Sequence, residues 1–127
     1  ETKAVHYSRA GHCPVLYYSA EDKRTEFLKD KGAALGMLRG PSYSKLIESR
    51  CVTYKPKDVI VLYTDGITEA RNDRHEEFGL EKLEKCLQES AHMSSMEIQE
   101  YIIAKLYEFT GTQNINDDYT TMIVKFS

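Results

Sequence analysis

The chain has 127 residues, 41% hydrophobic and 29% charged, an ordinary composition for one folded domain large enough to bury a core. Its 17 basic and 20 acidic side chains give a net charge of -3 with no basic stripe, so a nucleic-acid binder is not expected. No apolar run reaches the length of a membrane span, so no direct membrane insertion is expected. The first residues read as neither a signal peptide nor a start, and further protein is expected upstream of Glu1.

Strand-like segments fill the first two-thirds. KAVHYSR alternates, AGHCP is a turn punctuated by Gly and Pro, and PVLYYS is rich in valine, leucine and tyrosine. EDKR is a charged reverse turn before TEFL, and KGAALGML reads as a loop carrying two glycines. KLIESRCVTY is extended, KPKD is a turn, and VIVLYT is the most apolar strand. Its lack of alternation predicts burial on both faces.

After Arg71 the pattern changes. NDRHEEFG is a polar loop, and LEKLEKCLQES sets Leu80, Leu83 and Leu87 at helical spacing. SSMEIQEYIIAKLYEFT predicts a stronger helix. Ser94 and Glu97 fit a capping box, and Ile98, Ile102, Leu106 and Phe109 form one apolar face that packs on a sheet. GTQNIN breaks that helix, and DDYTTMIVKFS closes the chain as a strand. Strands, two helices and a final strand argue an α+β fold.

Asp65 follows the apolar strand, and Asp117 and Asp118 precede the last one. If these strands are antiparallel neighbours, the acids share one rim of the sheet. Clustered carboxylates repel unless a cation joins them, and oxygen ligands suit Mn²⁺ or Mg²⁺ rather than zinc. On spacing alone, an Asp-Gly turn and a solvated Asp pair explain the same residues. Cys13, Cys51 and Cys86 show no CxxC spacing, which disfavours a zinc knuckle or a disulfide framework and fits a reducing compartment. All three are read as structural. His6, His75 and His92 have no companion at ligand spacing.

The segments AGHCPVLYY, GAALGM, YKPKDVIVLYTDGITEARN, FGLEKL and DDYTTMIV occur in an order that resembles the stage II sporulation E-like serine phosphatases. These form the bacterial branch of the PPM metal-dependent protein phosphatases. The resemblance implies an antiparallel β-sandwich flanked by helices, four layers (αββα) in the complete domain. An earlier D-x-x-G-x-G motif of the family is not found, so residues 1–127 are expected to be the C-terminal portion of a single such domain. The implied activity is metal-dependent hydrolysis of phosphoserine or phosphothreonine on a protein, by a metal-activated water and two Mn²⁺ or Mg²⁺ ions in the complete domain. The implied substrate is an anti-sigma factor antagonist in bacterial signalling. The implied location is the bacterial cytoplasm, with a sensor or membrane domain upstream.

Carried over residue by residue, the resemblance implies metal-ligand roles for Asp65 and Asp117. Asp118 and Glu69 become supporting residues, and Gly66 permits close packing at the site. His12, in the AGH segment, could donate a proton but fits better as a residue that hydrogen-bonds its turn. Weak activity and self-association are expected of the isolated chain. Two other readings stay open: a phosphatase-like binding or regulatory module without catalysis, and an unrelated α+β domain whose acidic turns are only turns.

Overall fold

The computed structural model describes residues 3–29, 31–32, 34, 43, 45–111 and 118–127. The strands are β1 (Ala4–Ser8), β2 (Val15–Ser19), β3 (Arg24–Leu28), β4 (Ser49–Thr53), β5 (Val59–Tyr63) and β6 (Thr121–Lys125). The helices are α1 (Asp65–Thr68), α2 (Gly79–Ser90) and α3 (Ser95–Thr110). β1 and β4 pair as a two-stranded antiparallel sheet, and a second sheet has the order β3-β2-β5-β6, antiparallel throughout. The expected α+β architecture is therefore present.

β5 is the hub of the larger sheet because it is the most apolar strand and can lose water on both sides. It pairs with β2 through Leu16↔Val61 and with β6 through Val61↔Ile123. Val59 and Val61 are fully buried, and Ile60 on the opposite face is nearly so. Burial of one such side chain contributes about 1.5–3 kcal/mol.

One face of this sheet, carrying Leu16, Val59, Val61 and Tyr63, is covered by α2 and α3. Ile98, Ile102 and Leu106 of α3 are fully buried, with Phe109 partly buried behind them. The predicted capping box is formed: the Ser94 hydroxyl accepts from the Glu97 amide, and the Ser94 amide donates to Glu97 Oε2 at 2.8 Å. Lys125 Nζ donates to the Ala91 carbonyl at 2.8 Å and to the Met93 carbonyl, so β6 is tied to the chain end of α2. A cation there also complements the negative end of that helix.

The predicted stripe of α2 is only partly realised. Leu83 and Leu87 are buried with Cys86, but Leu80 is 37% exposed. Leu80 sits in the first turn, and the core place beside it is taken by Phe78, which packs edge-on against Phe109 with ring centres 5.5 Å apart.

Asp58 in the KPKD turn is a buried anchor that its sequence context hides. Its carboxylate accepts from the Ala20 and Lys55 amides, each at 2.8 Å, and from the Tyr17 hydroxyl. It closes the end of the sheet opposite Asp65. Burial and that carboxylate together raise the Tyr17 phenol well above its ordinary value.

Candidate functional site

The strand register alone determines which motif segments meet. β2 runs antiparallel to both β3 and β5, and β5 runs antiparallel to β6. The start of β2, the end of β3, the end of β5 and the start of β6 therefore lie on one rim. AGH, the Gly32 loop, Asp65-Gly66 and Asp118 are attached at those four points.

At this rim β5 does not end in a simple turn. Asp65 opens a single helical turn, Asp65–Thr68, with its side chain exposed while Gly66 and Ile67 are buried. Gly66 is required by close approach: a Cβ there would overlap the carbonyl oxygen of Asp118 and reach 3.4 Å from the Cα of Tyr119. The segment before β6 is held by Thr64, whose amide donates to the Thr120 carbonyl at 3.0 Å and whose hydroxyl accepts from the Thr120 amide at 2.9 Å. The Tyr119 and Tyr107 hydroxyls meet at 2.6 Å, which fastens the same segment to α3. The expected antiparallel neighbourhood of the Asp65 and Asp118 segments is thus present. Asp117 lies outside the described residues.

Glu69 is exposed at the end of the helical turn, its amide bonded to the Asp65 carbonyl at 2.8 Å. His12 is exposed; its Nδ1 lies 3.3 Å from the Cys13 carbonyl, and its own carbonyl accepts from Arg9 at 2.9 Å. Those are bonds within the turn. The AGH turn rests on the Gly32 loop: a Cβ on Gly11 would come within 2.7 Å of the Ala34 Cβ.

Two rim residues were not singled out by sequence. Burial raises the Cys13 thiol above its ordinary value, and the nearby charges of Asp65 and Glu69 raise it further. Tyr63 is 2% exposed, its hydroxyl has no hydrogen-bond partner among the described residues, and burial pushes the phenol up to about 12. Cys13 precedes β2 by two residues, and the β2–β5 pairing brings it within reach of the Asp65 charge.

Beside the His12 imidazole and the Cys13 thiol, this rim carries carboxylate and carbonyl oxygens, the chemistry that suits a hard divalent cation. The cradle that Gly66 leaves beside the Asp118 carbonyl has room for no side chain. Among the described residues, no three His, Cys, Asp or Glu side chains converge as a complete ligand set. The described rim therefore fits part of an oxygen-ligand site.

Cys51 and His6 are both exposed, and the two are register neighbours across β1 and β4.

Comparison with known proteins gives this rim its context. The family model of stage II sporulation protein E (SpoIIE) matches residues 1–127. The chain is 31% identical over 121 residues to the phosphoserine phosphatase RsbU of Bacillus subtilis (strain 168), which covers 94% of this chain and 34% of RsbU. It thus spans about a third of that relative's length. Its fold is similar to the SiaA-PP2C domain of Pseudomonas aeruginosa, with a TM-score of 0.74 and 24% identity over 99% of this chain and 48% of that one. It is also similar to the PP2C phosphatase domain of SpoIIE from Bacillus subtilis solved with a fragment of its regulatory domain, with a TM-score of 0.75 and 16% identity over 98% of this chain and 34% of that one. With its whole length matched by the family model and its sheets and helices arranged as in PP2C phosphatase domains, the chain belongs to the stage II sporulation protein E family.

Proposed function

We propose that residues 1–127 form the C-terminal portion of a metal-dependent protein serine/threonine phosphatase domain. Its substrate class is phosphoserine or phosphothreonine on a regulatory protein of the anti-sigma factor antagonist kind. The observation that carries this reading is the junction of the Asp65-Gly66 turn with the backbone of Asp118, on the rim where the AGH segment also meets the sheet. In this proposal Asp65 and Asp117 hold Mn²⁺ or Mg²⁺, and Asp118 and Glu69 support them. Bound ions of this class activate water and neutralise charge on a phosphoryl group.

The chain's own residues position that chemistry. Gly66 lets the two rim segments close to backbone contact, and Thr64 and Tyr107 fix the approach of the Asp118 segment. His12 braces the AGH turn. Location in the bacterial cytoplasm belongs to the same proposal; among the described residues, no helix is long and apolar enough to cross a membrane.

The test is Mn²⁺ calorimetry and p-nitrophenyl phosphate turnover on the intact domain, for wild type, Asp65→Asn and Asp117→Asn. Each substitution is expected to lower metal affinity and turnover by ~100-fold or more, since residues that merely orient metal ligands cost 10–100-fold. Unchanged binding and turnover would remove both acids from the site. A wild-type domain that binds Mn²⁺ without turnover would instead favour a binding module.

A further inference from the structure

The two-stranded sheet carries a second cluster with different donor chemistry, independent of the phosphatase reading. His6 and Cys51 stand directly opposite each other in the β1–β4 register, and both side chains are exposed. Cys51 Sγ lies 3.6 Å from His6 Nε2. Strand pairing makes this proximity a property of the backbone, because opposed Cβ atoms sit about 4.5–5.5 Å apart.

The distance has a chemical meaning. A tetrahedral zinc ion with Zn–S of about 2.3 Å and Zn–N of about 2.0–2.1 Å places its sulfur and nitrogen ligands about 3.6 Å apart. The pair is therefore already spaced as one edge of such a tetrahedron. Ser8 and Ser49, the neighbouring register pair on that face, are both exposed and small, so the other two coordination positions stay open to water. A thiolate and an imidazole select zinc-type cations, whereas the Asp65 rim offers oxygen donors.

We infer that His6 and Cys51 form a two-ligand site for Zn²⁺, with water completing the shell. On binding, the Cys51 S–H bond breaks, the proton passes to solvent, and a sulfur electron pair forms the bond to zinc. His6 donates its Nε2 lone pair and keeps its proton on Nδ1.

Co²⁺ titration of the reduced, metal-free full-length protein tests this through the thiolate-to-cobalt charge-transfer absorption. The band is expected to saturate at one ion per chain, to be bleached by Zn²⁺ and to vanish in Cys51→Ser. His6→Ala is expected to weaken binding by ~10-fold or more, and Cys13→Ser to leave the band intact. Thermal melts of Cys51→Ser and His6→Ala beside the wild type separate ligand loss from unfolding: matching melts with a lost band assign the effect to the ligands. No band in the wild type, a band surviving in Cys51→Ser, or unchanged affinity in His6→Ala would each overturn the site. Saturation at half an ion per chain would overturn the single-chain geometry.

Discussion

At the scale of single residues, Gly66 shows how one position joins two distant parts of the chain. Its missing side chain admits the Asp118 backbone, so Asp65 and the segment before β6 share a rim. Gly66→Ala must push that backbone away, because a carbonyl cannot swing aside as the tip of a flexible side chain can. The expected outcome is a loss of turnover of ~10-fold or more in the intact domain, with secondary structure by circular dichroism retained. Wild-type turnover in Gly66→Ala would mean that the two segments need not touch. The role of glycine in an Asp-Gly pair was legible in the sequence, but its contact was not. Nor was the environment of Cys13, whose thiol feels Asp65 and Glu69 only because β2 and β5 are paired.

At the scale of elements, the strongest sequence signals were those whose cause is local. α3 starts at Ser94 because the Ser94–Glu97 box satisfies amides within one turn, and its apolar stripe follows from helical periodicity. Ser94→Ala is expected to cost about 1 kcal/mol, read as a lower thermal midpoint at pH 7. The hydrogen bond from Ser94 holds the Glu97 carboxyl below its ordinary value of 4.5. A depressed folded value stabilises above that pH, and the contribution is lost as pH falls through the folded value. The gap between Ser94→Ala and wild type should therefore narrow in melts taken below pH 4.5; a gap that stays constant would remove the carboxylate from the cap. Leu80 illustrates the limit of periodicity. It has the right spacing, yet Phe78 and Phe109 occupy the core beside it.

At the scale of the whole molecule, the two faces of the larger sheet differ. The helices cover one face. On the other, Tyr17 and Ile60 are buried while Met122 is 58% and Val124 36% exposed. Both exposed residues lie on β6, an edge strand of that sheet. An apolar edge favours association with another surface. The isolated 127-residue chain is expected to gain mass with concentration in light scattering, and Met122→Lys with Val124→Thr to reduce that gain. A monomer mass at all concentrations would show that the face needs no cover.

The sequence by itself determined the α+β order of elements, the cap of α3, the turn positions and the acidic candidates at strand ends. Each of these follows from side-chain periodicity or from bonds between near neighbours. Only the tertiary structure decided which candidates share a rim, that Asp58 of the KPKD turn is also a buried anchor, and that Cys51 faces His6. The reason is physical: strand pairing brings together residues as distant in sequence as Val59 and Lys125, and nothing in the local pattern encodes the partner.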